Sequence, residues 1–342
     1  MPPGLFVPCE SGFFKEPRSK ESTISIFPTR ILLATDGSEE AVLAAKTASD
    51  LANKTDSELH IVHARPRITP HHPGYYVGPE LIERAPEKER KLLDHEAQRL
   101  LDAQVEQVRI AGGSTAQTHL RIGKIDEEII ATAEEVGAGL IVVGSRGQRG
   151  MRRALIGSVS DSVVRHAHCP VMVVRGEPPV FPMRILLATD GSEEANLASS
   201  TAADLVKSTN SELHVVCVEH TPAVFYELPG TILDPALQSR MEEGIEEATK
   251  TKLNEQVRKI REAGGEIMGV HARVGDPDAE IVGLAGRLGA GLIVVGSRGL
   301  GPLRRALMGS VSDSVVRHAH FPVMVVRPEK ERSAQDEADF LT

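Results

Sequence analysis

Tryptophan is absent from this 342-residue chain, and aromatic residues of every kind make up only 3% of it. A surface that stacks nucleic-acid bases would have few platforms to use. Lys and Arg number 39 against 48 Asp and Glu, a net charge of −9, which further excludes a general polyanion-binding surface. Cysteine is scarce. Cys9, Cys169 and Cys217 are odd in number and form no C-x-x-C, so a disulfide framework is excluded and a reducing cytosol fits best. Long apolar runs are missing too. Leu140 to Val143 is typical, far short of the ~20 residues of a membrane span. Residues 1–29 hold no apolar core of a signal peptide, and the stretch before Cys9 is a poor lipoprotein leader. What remains is a cytoplasmic globular protein with neither membrane nor nucleic acid as partner, of roughly two domains at about 150 residues each.

The chain is written twice. Arg30–His63 aligns without gaps on Arg184–Cys217 with 24 identities in 34, and Gly137–Arg175 aligns on Gly289–Arg327 with 33 in 39. The offsets are 154 and 152, so the length difference falls between, in the Pro-rich stretches around Pro66–Pro79 and Pro222–Pro235. A period of this length is a duplicated domain and not a solenoid unit. The division is an N-terminal extension over 1–28, a first domain over 29–175, a linker over 176–182, a second domain over 183–327, and an acidic tail over 328–342.

Each copy alternates strand and helix. In the first, Ile31–Ala34 is a short apolar run, and Ser38 with Glu39 and Glu40 opens a helix in which Val42, Ala45, Ala48 and Leu51 or Ala52 share a face. Leu59–Ala64 is the second strand. A long amphipathic helix with Leu92, Leu93, Leu100, Leu101, Val105 and Val108 as its stripe ends at Gly112-Gly113. Thr118–Ile122, a helix over 126–136, Leu140–Val143, a helix from Gly157, and Val171–Val174 complete the copy. Strands that read as continuous Val, Ile and Leu are buried on both faces. Five of them joined by helices make an open, doubly wound α/β domain with a parallel sheet, present twice.

In such sheets ligands bind beyond the carboxyl ends of the strands. After strand four comes Gly144-Ser145-Arg146-Gly147, nine residues, then Gly157-Ser158; the second copy repeats it as Gly296-Ser297-Arg298-Gly299, nine residues, then Gly309-Ser310. Glycines let backbone N–H groups approach an oxyanion, and Gly157-Ser158 opens a helix whose free N–H groups and dipole favour a phosphate. Arg149, Arg152, Arg153, Arg304 and Arg305 in the spacers either neutralise that phosphate or belong to a solvated loop. Asp36 and Asp190, after strand one, either accept from ribose hydroxyls or are turn aspartates of Asp-Gly-Ser. The sequence lacks a P-loop, a dinucleotide G-x-G-x-x-G after strand one, H-E-x-x-H, and a nucleophile elbow. His166/His168 and His318/His320 are two apart at helix ends, where dipole placement explains them better than metal ligation. No metal site made by protein side chains emerges.

The run Ile31–Ser38, the strand Leu59–Ala64 and the G-2x-G-9x-G-[ST] spacing together resemble the universal stress protein family, in its tandem form and its ATP-binding branch. The resemblance implies two Rossmann-like domains of the adenine nucleotide alpha hydrolase-like kind, each a five-stranded parallel sheet with helices on both faces and ATP at the strand ends. By family pattern, Ala34, Thr35 and Asp36, with Ala188, Thr189 and Asp190, lie near adenine and ribose. The backbone at Ala64 and Val218 reads the adenine edge. Gly144, Gly147, Gly157, Ser158 and Val159 hold ribose and phosphates, as do Gly296, Gly299, Gly309, Ser310 and Val311, with Arg146 and Arg298 inside the glycine runs. Mg²⁺ would accompany the nucleotide. Family members pair through their last strands, so Val171–Val174 and Val323–Val326 are expected to meet within the chain as a pseudo-dimer; whether two chains associate further is left open. Two functions compete: a stress-response regulator whose ATP occupancy alters a surface read by a protein partner, and an enzyme that slowly hydrolyses ATP or phosphorylates itself. No general base is forced by the sequence, which favours the regulator. A phosphoacceptor role for Asp36 fits poorly, because strand one ends in a single Asp and strand five ends at Arg175.

Overall fold

The computed structural model describes residues 27, 29–67, 87–147, 156–176, 183–220, 235–262, 264–299 and 308–328. Both tails, linker residues 177–182, most of the two Pro-rich stretches and the loops carrying Arg149, Arg152, Arg153, Arg304 and Arg305 lie outside them. The first half runs β1 (Arg30–Ala34), α1 (Glu39–Thr55), β2 (Glu58–Arg65), α2 (Glu87–Ile110), β3 (Gln117–Ile122), α3 (Ile125–Val136), β4 (Leu140–Gly144), α4 (Ser158–His166) and β5 (Val171–Val174). The second repeats it as β6 (Arg184–Ala188), α5 (Glu193–Thr209), β7 (Glu212–His220), α6 (Pro235–Glu262), β8 (Gly269–Gly275), α7 (Pro277–Leu288), β9 (Leu292–Gly296), α8 (Ser310–His318) and β10 (Val323–Val326).

Local chemistry sets these limits. Ser38 is extended and its Oγ accepts from Ala41 N at 3.1 Å, so α1 starts there; Asp56 in the left-handed region closes it. Gly112, at φ +80°, ends α2. Two expected core residues are corrected. Val42 is 39% exposed and Leu92 58% exposed. The buried stripe of α1 is Ala41, Ala44, Ala45, Ala48, Leu51 and Ala52, and that of α2 includes Ala97, Leu101, Gln104 and Val108. Val42 sits at the border of the buried face of α1, where the sequence pattern is undecided, whereas Leu92 lies in the first turns of α2, nearly opposite the buried stripe.

All ten strands form one sheet, ordered β3-β2-β1-β4-β5-β10-β9-β6-β7-β8. Within each half the pairings are parallel. The halves join where β5 meets β10 antiparallel, with Val171 opposite Val325, Met172 opposite Met324 and Val173 opposite Val323. The predicted pairing of the last strands is therefore present within the chain, and it merges two five-stranded sheets into one. Helices cover both faces. One core layer holds Ala48, Leu51 and Leu101 with their counterparts Ala202, Leu205 and Leu253; the other holds Ile129, Ala133 and Val163 with Ile281, Ala285 and Val315. Each layer runs unbroken across the join, where Met172 and Met324 are wholly buried.

A ring of charges closes the join on the α4/α8 face. Arg165 Nε meets Asp161 Oδ2 at 3.0 Å and reaches across to Asp313; Arg317 Nε meets Asp313 Oδ2 at 2.8 Å and its Nη2 meets Asp161 Oδ1 at 2.9 Å. Burial raises the pKa of Asp313, but hydrogen bonding and charge from Arg317, with the charge of Arg165, outweigh it and hold the carboxyl below the usual range. A double-mutant cycle on Arg165→Ala and Asp313→Ala should give a coupling energy on the order of 1 kcal/mol by urea unfolding, where an isolated surface pair would give a few tenths.

The outer strands are tied by histidines. His60 on β2 faces His119 on β3 with Nδ1 and Nε2 3.4 Å apart, and His214 on β7 faces His271 on β8 at 3.2 Å. Burial, then the His214, Arg273 and Arg287 charges, pushes His271 down to about 4. Burial also lowers His119 and His214. The folded state thus prefers these rings neutral, while the unfolded chain protonates near 6.5. Their stability contribution is complete above about pH 6.5 and declines as pH falls toward 4. The urea midpoint should drop over that window, and subtracting the profile of His271→Gln should remove part of the drop.

Candidate functional site

In each half the strand order reverses between strand one and strand four, β1 and β4 in the first and β6 and β9 in the second. The chain leaves β1 toward β2 on one side and returns to β4 on the other. Open α/β sheets hold ligands in the crevice beyond the carboxyl ends of such a pair. Both predicted polar segments end there.

After β1 the backbone turns sharply. Gly37 takes φ +76°, and Asp36 Oδ1 accepts from Ser38 N at 3.0 Å. Ser38 Oγ reaches Arg146 O at 3.3 Å, tying this turn to the glycine run after β4. The second half matches: Asp190 Oδ1 accepts from Ser192 N at 3.0 Å, and Ser192 Oγ reaches Arg298 O at 3.5 Å.

The glycines serve three different ends. A Cβ on Gly144 would stand 3.0 Å from the backbone carbon of Glu40, and one on Gly296 2.9 Å from that of Glu194. These two permit close packing of a strand end on a helix start. A Cβ on Gly147 or Gly299 would run into the carboxylate of Asp36 or Asp190, so this pair brings strand one's aspartate against the run after strand four. Gly157 and Gly309 differ again. Gly157 has φ −75° and ψ 150°, open to any residue, and its added Cβ would meet nothing closer than 3.5 Å. The protein itself does not require glycine there.

Gly157 and Gly309 are the N-caps of α4 and α8, and among the described residues neither helix has a side-chain cap. Ser, Asp or Asn at that position would satisfy a first-turn N–H and add roughly a few tenths of a kcal/mol relative to glycine. The backbone of the cap is fixed nonetheless: Gly157 N donates to Ser145 O and Gly309 N to Ser297 O, both at 2.8 Å. Ser160 Oγ donates to Gly144 O at 2.7 Å and Ser312 Oγ to Gly296 O at 2.6 Å. Each cradle is thus held in shape while its helix end lacks a side-chain cap. Ser145 Oγ is buried and makes no hydrogen bond among the described residues.

Of the predicted site residues, Ala34, Thr35, Asp36, Gly144, Arg146, Gly147, Gly157, Ser158 and Val159 lie around the crevice between β1, β4 and the start of α4. Their counterparts in the second half lie around the matching crevice. Ser158 and Ser310 are exposed at the helix starts. Ala64 and Val218 stand one strand away, near the ends of β2 and β7. Arg146 Nε is 3.6 Å from Glu40 Oε1.

Sequence reasoning missed where the two crevices differ. In the first, Thr35 Oγ1 donates to the buried Gln104 Oε1 at 2.7 Å, and His63 Nδ1 sits 2.8 Å from Thr35 O. In the second, Gln256 instead accepts from Ser199 Oγ at 3.2 Å and donates to Asn196 Oδ1 at 2.9 Å. Cys217 occupies the place of His63, and burial, with the Glu219 charge next, pushes its thiol up to about 12. Arg65 pairs with Asp94 in the first half, whereas Glu219 pairs with Lys252 in the second. Changes of residue type at aligned positions were the available signal. Among the described residues no group of three or more His, Cys, Asp or Glu is placed to hold a metal ion.

The fold defines a tandem α/β protein whose single sheet carries one switch point in each half. The chain matches the universal stress protein family over residues 28–175 and again over 183–327, and it belongs to that family. A universal stress protein of Mycolicibacterium smegmatis is 29% identical over 304 residues, covering 87% of this chain and 97% of its own length. One of Mycobacterium tuberculosis is 28% identical over 306 residues, 87% and 96% of the two chains. Among solved structures, a universal stress protein of Archaeoglobus fulgidus has a TM-score of 0.61 at 24% identity over 89% of this chain and 98% of its own. No described helix is long and apolar enough to cross a membrane.

The division among the glycines is testable by urea unfolding. Gly144→Ala and Gly296→Ala should each cost about 1–3 kcal/mol, because the added carbon meets backbone. Gly157→Ala should change stability by less than about 1 kcal/mol, because the added carbon fits and the restriction of the unfolded chain offsets the poorer N-cap that alanine makes.

Proposed function

We propose that this protein is a nucleotide-binding regulator with one ATP site in each domain, at the crevice beyond β1 and β4 and the matching crevice beyond β6 and β9. The observation that carries this reading is the pair of helices that begin at glycine: an added Cβ at Gly157 would meet nothing closer than 3.5 Å, and at Gly309 it would stand 3.3 Å from Arg298 Cα. A cradle kept free of a side chain, lined by first-turn N–H groups at the positive end of a helix, suits a phosphate. Ser158, Val159, Ser310 and Val311 would donate to the phosphates. Asp36 and Asp190 would accept from ribose hydroxyls, with Ala64 and Val218 beside the base. Mg²⁺, bound chiefly through phosphate oxygens and water, would neutralise the ligand's charge.

Regulation is favoured over turnover by the chemistry on hand. The buried Cys217 thiol, pushed up to about 12, stays protonated at neutral pH and offers no thiolate nucleophile. The carboxylates of Asp36 and Asp190 are engaged by Ser38 N and Ser192 N, which suits holding a ligand. The protein's role in a stress response, its cytoplasmic location and a protein partner that senses occupancy belong to the same proposal. Equilibrium dialysis with ATP and Mg²⁺ should give two sites per chain, and Gly157→Ala should weaken one of them about tenfold or more while leaving stability intact. A chain that takes up no ATP, or whose affinity ignores both Gly157→Ala and Gly309→Ala, contradicts the reading. Turnover fast enough to drain bound ATP within a minute would favour the enzyme instead.

A further inference from the structure

The last helix of each domain is held at its two ends by different domains. α4 starts at the glycine run of its own half and ends, nine residues on, at His166. The carbonyls at that far end go to an arginine of the other half. Arg327 Nη1 donates to Arg165 O at 3.0 Å and to Ala167 O at 2.7 Å, and its Nη2 donates to Val164 O. Reciprocally, Arg175 Nη1 donates to Arg317 O at 2.7 Å and to Ala319 O at 3.2 Å, at the end of α8.

Each arginine directly follows the last residue of a central strand, Val174 of β5 or Val326 of β10. Those valines have a second task. Val174 O accepts from Ser145 N at 2.9 Å, and Val326 O accepts from Ser297 N at 2.6 Å. One strand end therefore grips the glycine run of its own domain by a carbonyl and the helix of the other domain by a guanidinium.

A helix of this length, ~13 Å, moves as a rod. Its last carbonyls have no partner within the helix, and a cation there complements the dipole. Losing those contacts loosens that end, which the Arg165–Asp313 and Arg317–Asp161 pairs and the buried Val163 and Val164 continue to hold in part, and the helix's other end is the cradle. Burial works against the guanidinium, and Arg327 Nε has no hydrogen bond among the described residues. The arginine stays charged at neutral pH regardless, so the carbonyl contacts are what it has.

Resting on the anion-site reading above, the structure assigns Arg327 as the positioning residue of the first domain's site and Arg175 as that of the second. Each site is completed by the opposite domain.

The test uses the full chain, ATP as probe and two backgrounds. Gly309→Val fills the second cradle and leaves the first; Gly157→Val does the reverse. In the Gly309→Val chain, Arg327→Gln should weaken ATP binding at the first site roughly tenfold, within the usual range of coupling, and Arg175→Gln should leave it near the parent value. In the Gly157→Val chain the two arginines exchange roles. A merely structural part for the arginines would lower both sites alike. Equal losses in both backgrounds, or no loss in either, overturn the assignment. Hydrogen exchange without ligand gives a second readout: Arg327→Gln should speed exchange within 158–166 and not within 310–318, and Arg175→Gln the opposite. Unselective exchange also overturns it. If the unsubstituted chain binds no ATP, the nucleotide reading fails, while the exchange pattern still decides whether the arginines position these helices.

Discussion

The antiparallel pairing of β5 with β10 is the contact on which the rest of the molecule depends. Two short strands of Val-Met-Val-Val, each wholly buried, would be exposed apolar edges in separate domains and an invitation to aggregate. Pairing them removes both edges. The register centres on Met172 opposite Met324, which makes the contact self-complementary, as a two-fold interface must be. Duplication supplies that symmetry inside one chain, so the local concentration of the partner strand never falls. From this pairing follow the continuous core layers, the ring of Arg165, Asp161, Arg317 and Asp313, and the crossing of Arg175 and Arg327.

On the proposed reading, the starts of α4 and α8 give up a little stability for a site. A capping side chain at Gly157 and Gly309 would strengthen two short helices, yet both positions hold glycine. The surrounding backbone is meanwhile fixed firmly, by the Gly157 and Gly309 amides and by Ser160 and Ser312. Rigid walls with an empty corner are what preorganised anion binding asks for. The overall charge of −9 does not contradict this, since one helix end and a few amides act over a few ångströms, whereas net charge governs encounters with large polyanions.

Much of this was legible in the sequence because the signals were local or repeated. The duplication, the strand runs, the Ser38 cap and the Gly112 stop need only neighbouring residues to be read. The pairing of the last strands followed from the family resemblance and the cost of an exposed edge. Other features were hidden because they depend on spatial neighbours. Nothing in the order of residues says that Gly144 faces the Glu40 backbone while Gly147 faces Asp36. Arg175 and Arg327 read as strand ends, and their partners lie more than 140 residues away. Val42 shows the limit of periodicity at the border of a helix face. The different hydrogen-bond partners of Gln104 and Gln256 depend on aligned differences such as Ala45 against Ser199, whose effect appears only once the helices are packed.

The central claim is that α4 and α8 each present an open N-terminal cradle to a phosphate-bearing nucleotide. Amide NMR during titration with a non-hydrolysable ATP analogue and Mg²⁺ addresses it most directly. The account predicts saturable shifts at Ser158, Val159, Ser310 and Val311, the first-turn donors of both helices. Saturation with those four amides unmoved, or shifts confined to surfaces away from the strand ends, would contradict it.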